Sequence, residues 1–215
     1  MARSLLAIDP HARDDVPLWG TTQGGRAWYL PRAGYRLVLP MADASGAIVA
    51  ARLRSVQAGA RVKELAVPGY GCQGAVYAPW SVRAAWAAGL PCPRPCVLVE
   101  GGPDWLAAGG AWHETHDVIG YVSGSMTGVP WARWLGLLHP DSILVPQEDP
   151  KKGDREPAGQ HYARLIREAV PWIRVWPMRA VYAAAGADFA PGDDLAELPR
   201  RGVAVPKIQL FCGAR

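Results

Sequence analysis

The stretch CVLVEGGPDW, residues 96–105, sets Glu100 and Asp104 four residues apart, directly after a short apolar run. Carboxylates at the carboxyl end of a buried strand occupy the place where open α/β sheets bind ligands. Gly101 and Gly102 let the backbone turn sharply, and Pro103 suits the first turn of a helix. Asp104 would project from that turn, close to Glu100. The helix dipole alone also favours an acidic residue there, so Asp104 carries either meaning. Glu100 is harder to explain without function, because a lone carboxylate at the end of a buried strand is costly to desolvate.

The arrangement recurs along the chain. SILVP runs into Gln147, Glu148 and Asp149, and GADFAPGDDL supplies Asp188, Asp193 and Asp194. If the strands are neighbours, these side chains converge on one edge. Packed carboxylates repel and take up protons unless a cation joins them. Hard oxygen donors beside a phosphate-bearing substrate are the setting for Mg²⁺ or Mn²⁺.

The elements that must position these groups begin at residue 96. CVLV, DVIGYV, SILVP and WIRVW read as short apolar strands, separated by helical stretches PDWLAAGGA, GVPWARWLGLL and GQHYARLIREAV. Tyr162, Leu165, Ile166 and Ala169 share one face at helical spacing. Continuous apolar strands alternating with amphipathic helices predict an α/β unit, a parallel sheet covered on both faces. Before it lie a turn-rich lead-in over residues 1–33, a hairpin (YRLVLPMA, the turn DASG, AIVAARLRSV) and a short helix in SVRAAWAAGL. The hairpin places the expected antiparallel pair in a mixed N-terminal lobe.

Composition is that of a globular chain of 215 residues, half of them apolar, with a formal charge of +4 and a pI near 9.0. An anionic partner suits that charge. No apolar run reaches membrane-spanning length, and LLAI near the N-terminus is too short for a signal-peptide core. A soluble, cytoplasmic protein without a membrane partner is expected. CPRPC followed by HETH has the residue types of a two-Cys, two-His zinc site, but the spacing is wrong for a finger. Buried thiols and surface histidines are the alternative.

Glu100-Gly101-Gly102-Pro103-Asp104 resembles the E-G-x-x-D motif of the TOPRIM domain, shared by bacterial-type primases, topoisomerases and some nucleases. The primase branch is the most similar. RLVLPMADASGAIVAARLR resembles the hairpin of the primase RNA-polymerase core, and RVKELAVPGYGCQGAVYAPW the segment after it, with Lys63 at its lysine. YVSGSMTG resembles the loop after the second TOPRIM strand, and GADFAPGDDL the late acidic motif of plasmid and phage primases. The resemblance covers roughly residues 35–200 and implies an N-terminal lobe over 1–94, a TOPRIM domain over 95–200 and a tail over 201–215.

What the resemblance implies is a primase-type nucleotidyltransferase that joins nucleoside triphosphates into primers on single-stranded DNA. Glu100, Asp104 and Asp149 would be catalytic. Glu100, Asp104, Glu148, Asp149, Asp188, Asp193 and Asp194 would be the candidate metal ligands. Arg52, Arg54 and Lys63 would face template phosphates or the incoming nucleotide. One departure stands out: the family's second acidic motif is D-x-D, and here it reads Gln147, Glu148, Asp149. The chain contains no cysteine-rich template-reading module and no G-x-x-x-x-G-K-[ST] helicase loop, so a helicase or other replication protein would act in trans. The rival readings are a TOPRIM nuclease and a non-catalytic nucleic-acid-binding module. Trp105, Trp131 and Trp134 are expected to be packing residues.

Overall fold

The structure is a computed structural model. It describes residues 34–67, 71–122, 132–148 and 156–208, together with the backbone of three short strands, Leu6–Ala7 (β1), Trp19–Thr21 (β2) and Ala27–Tyr29 (β3). β2 and β3 pair with each other, and β1 joins the hairpin sheet.

Tyr35–Ala42 (β4) and Ile48–Ser55 (β5) form the expected hairpin, and Glu64–Ala66 (β6) extends it. The turn closes where Gly46 adopts φ 77°, and Gly46 N–H donates to the Asp43 carbonyl at 3.0 Å. Strand alternation sorts the side chains of β4 and β5 between two faces. Tyr35, Leu53 and Val67 make a small outer cluster, whereas Leu39, Met41 and Ala50 enter the main core. Arg52 and Arg54 share the inward face with Ala50, because they follow it at intervals of two.

A short helix, Trp80–Ala87 (α1), leads to the α/β unit. That unit runs Cys96–Glu100 (β7), Gly101–Trp112 (α2), Asp117–Tyr121 (β8), Ala132–Leu135 (α3), Ile143–Val145 (β9), Ala158–Ala169 (α4), Arg174–Val175 (β10), Met178–Ala184 (α5) and Glu197–Arg200 (α6). The four strands form one parallel sheet in the order β10-β9-β7-β8. Every residue of β7 is buried, as a central strand covered on both faces requires. Val97, Val99 and Val145 face Trp105 and Trp112 of α2 and Val181 of α5. Leu98, Ile119 and Leu144 face Val82 and Trp86 of α1, Trp134 of α3, and Tyr162 and Ile166 of α4. Trp105 and Trp134 are packing residues, as expected; Trp131 lies outside the described residues. On α4 the buried face is Gly159, Tyr162 and Ile166, and Ala169 is exposed at the helix end.

Two isolated bridges, Ala42 with Val76 and Tyr77 with Gly120, stitch the hairpin sheet to the β8 edge of the parallel sheet. Gly120 is required there: a Cβ would lie 2.7 Å from Trp105 Cβ and 2.8 Å from Tyr77 Cδ2, where the two rings stack 5.3 Å apart. Residues 203–208 return to the core, with Trp112 Nε1 donating to the Pro206 carbonyl at 2.7 Å. Among the described residues no helix is long and apolar enough to cross a membrane.

Candidate active site

Glu100 is the last residue of β7, and the chain enters α2 at once through Gly101, whose φ of 82° is the left-handed conformation that favours glycine. Asp104 sits in the first turn of α2 but is only 1% exposed, so it is no ordinary solvent-facing helix-end carboxylate. Gln147, just past β9, donates from Nε2 to Asp104 Oδ2 at 3.2 Å. The backbone N–H of Ala196, ahead of α6, donates to Oδ1 at 3.0 Å. Asp104 is therefore held between the end of the third strand and the late acidic segment, 43 and 92 residues away in sequence.

Burial is the main reason that Asp104 is pushed up to about 7, and repulsion from Asp194 and more weakly from Glu100 adds to it. The two hydrogen bonds it accepts act the other way. Glu100, Asp104, Gln147 and Asp194, with Gly101, Pro103 and Val122, line a pocket of ≈ 170 Å³ at the carboxyl edge of the sheet.

The other acidic candidates are placed differently. Glu148 is gripped by Arg179, through Nε at 2.7 Å, the backbone N–H at 3.1 Å and the guanidinium Nη2. It lines a separate groove of ≈ 800 Å³ on the far side of Gln147. Asp193 accepts from Arg201 Nη2 at 2.6 Å and from the Ala190 N–H at 2.8 Å. Asp188 is exposed and contributes its carbonyl to Arg201 Nη1 at 3.2 Å. Asp194 has Arg200 Nη1 at 3.8 Å. Asp149 and most of the YVSGSMTG loop lie outside the described residues.

Of the basic candidates, Lys63 is exposed, while Arg52 and Arg54 are half-buried and share one partner, Glu64. Sequence reasoning misses Glu64, because only the β5–β6 register, with Arg54 opposite Glu64, brings it between the two arginines. Gln147 as a donor to Asp104 is equally hidden; the sequence marks it only as a break in an acidic motif.

As they stand, the three carboxylates of this pocket do not form a set that would hold a metal ion, but Glu100, Asp104, Asp194 and the Gln147 amide oxygen are the donor types that a hard divalent cation takes. The raised Asp104 points the same way, since like charges held together call for a counter-cation. Among the described residues, no three His, Cys, Asp or Glu side chains form a ready-made cage. That also holds for the cysteines and histidines: Cys92 and Cys96 are free core thiols, whereas His113 and His116 line a pocket beside Asp117 at the start of β8, and Cys212 lies outside the described residues.

No family model and no curated protein matches the chain. Solved structures do. The chain is similar to the Aquifex aeolicus primase zinc-binding and RNA polymerase domains, at 17% identity and a TM-score of 0.50, over 86% of this chain and 41% of that one. It is also similar to a DnaG primase catalytic domain bound to single-stranded DNA, at 18% identity and a TM-score of 0.50, over 86% of this chain and 52% of that one. The chain thus spans about half or less of the length of these neighbours. The carboxylate-edged parallel sheet and the hairpin that precedes it share the fold of these primase catalytic domains.

Proposed function

We propose that this chain performs primase-type nucleotidyl transfer, joining nucleotides into short primers on single-stranded DNA with Mg²⁺ or Mn²⁺. The observation that carries the reading is Asp104: buried, raised to about 7, and sharing one sheet-edge pocket with Glu100 and Asp194. A fold likeness to primase cores supports it, one of which was solved with single-stranded DNA.

Glu100, Asp104 and Asp194 would hold the ion, with Asp149 as a further ligand. Once bound, the ion would neutralise triphosphate charge and stabilise the attacking and leaving oxygens. The chain's own residues have separate tasks. Asp104 would bind the ion as a carboxylate, because a cation's charge offsets both the burial and the neighbouring carboxylates that raise it. Glu100, at the strand end, would serve either as a ligand to that ion or as the group that takes the proton of a primer hydroxyl. Arg52, Arg54 and Lys63 present positive charge to phosphates on the hairpin side, and a helicase or other replication protein would work in trans.

A specific contact favours a second reading, that of a non-catalytic DNA-binding module. The amide of Gln147 donates to the Asp104 oxygen that would otherwise face a metal. One assay separates the readings: single-stranded DNA, labelled ribonucleotides and deoxyribonucleotides, and Mg²⁺ or Mn²⁺. Template-dependent products support the primase, shortened template supports the nuclease alternative, and retained binding without either leaves the module.

A further inference from the structure

Glu64 stands where the hairpin meets the acidic motif. Its Oε1 accepts from Arg54 Nη1 at 2.9 Å, its Oε2 lies 3.2 Å from Arg52 Nε, and the Tyr77 hydroxyl is 3.4 Å from Oε2. The carboxylate is only 13% exposed, and the two arginine side chains 22% and 17%. On its other side is Gly102, the second residue of α2, in the same first turn as Asp104. A Cβ on Gly102 would fall 2.5 Å from Glu64 Oε1 and 2.8 Å from Leu39 Cδ1. Glycine at this position leaves Glu64 its room, which any side chain would take.

A guanidinium has five N–H donors; Arg54 gives one of them to Glu64 as a hydrogen bond, whereas Arg52 meets Glu64 as an ion pair in which its Nε–H makes no hydrogen bond. Both arginines are thus anchored on one carboxylate that lies against the start of α2, and each keeps guanidinium N–H groups that Glu64 does not use. Arginine loses considerable rotamer freedom when it grips a phosphate, and a partner that orders it beforehand removes that cost. We infer that Glu64 is a positioning residue that presets Arg52 and Arg54 as a two-arginine seat for one phosphate beside the Glu100–Asp104 pocket. Nothing in the sequence motifs assigns it this role; the inference rests on the nucleic-acid and nucleotide reading above for its ligand class.

The sign of the effect separates this role from simple electrostatics. Removing a negative charge near a phosphate site should tighten binding, whereas removing a positioning group should weaken it. Glu64→Gln and Gly102→Ala test this together. The second keeps every charge, but its methyl displaces Glu64. Binding of a single-stranded oligonucleotide and of inorganic tripolyphosphate is measured by calorimetry at one fixed salt concentration, with thermal unfolding as a check on folding. Both variants should bind on the order of tenfold more weakly than the wild type. Unchanged or tighter binding by Glu64→Gln would overturn the inference and make Glu64 a competitor of phosphate. Wild-type binding of tripolyphosphate but not DNA, lost in both variants, would keep the seat and sink the nucleic-acid reading. Wild-type binding of neither ligand would overturn both.

Discussion

Gln147→Asp is the substitution on which the acidic site turns. In the wild type, the amide donates to Asp104 at 3.2 Å, a bond that stabilises the ionised form of a buried carboxylate. An aspartate removes that donor and places a second negative charge within roughly 4 Å of the first, since its side chain is one methylene shorter. Two unit charges at about 4 Å and an effective dielectric near 20 interact by about 4 kcal/mol. Without a cation, the variant should be less stable at pH 8 by an amount approaching that ceiling, or should take up a proton instead. With a divalent cation the same charge becomes attractive, and affinity should rise roughly a hundredfold to a thousandfold. Chemical denaturation with and without Mg²⁺, and calorimetric titration with Mg²⁺ and Mn²⁺, measure the two halves separately. A metal-dependent gain in stability that exceeds the wild type's is the expected result. Equal metal affinity in the two proteins would mean that position 147 does not face the cation.

The Asp104 shift also predicts a pH dependence. Between its ordinary value of 3.8 and about 7, the folded state keeps a proton that the unfolded state has lost, so stability falls as pH rises across that window. The fall should be on the order of 2–4 kcal/mol, absent in Asp104→Asn and suppressed by Mg²⁺, as read from denaturation midpoints from pH 4 to 8. Replacing Arg52, Arg54 and Lys63 together by alanine should weaken single-stranded DNA binding and flatten its salt dependence, by about 0.7 in log–log slope for each phosphate that is no longer neutralised; an unchanged slope counts against that surface. Gly120→Ala forces a methyl against Trp105 and Tyr77 and should cost about 1–3 kcal/mol in urea denaturation, and no loss would mean that the two sheets are not stitched there. Gly159→Ala would set a Cβ 2.4 Å from the Gln147 carbonyl, so its divalent affinity should differ from that of the wild type in the same titration.

Local pattern carries the sheet and the hairpin. CVLV into Glu100 is legible because a buried strand, two glycines and a proline each constrain the backbone within a few residues. The hairpin is legible for the same reason, through Gly46 and two apolar runs. WIRVW shrinks to the two-residue β10, because it pairs only at the sheet edge, with Ile143 and Leu144 of β9. The site is legible only where its members follow strands. Glu100, Asp104 and Asp194 share a pocket, whereas Glu148 turns to Arg179 and Asp193 to Arg201. Nothing local distinguishes these carboxylates from one another, since Arg179 lies 31 residues from Glu148 and the choice is made by α5 packing beside β9. Glu64 and Tyr77 are illegible because their roles depend on strand register and on a bridge to Gly120.

Nucleotidyl transfer as proposed requires the Glu100–Asp104–Asp194 pocket to bind the cation. The most direct measurement compares wild type with Asp104→Asn by Mn²⁺ electron paramagnetic resonance, with oligonucleotide binding and primer synthesis followed on the same samples. Wild type should bind Mn²⁺ and make template-dependent product, while Asp104→Asn stays folded, still binds DNA, and loses both Mn²⁺ and product. Asp104→Asn that binds Mn²⁺ as the wild type does, or still extends primers, would contradict that requirement.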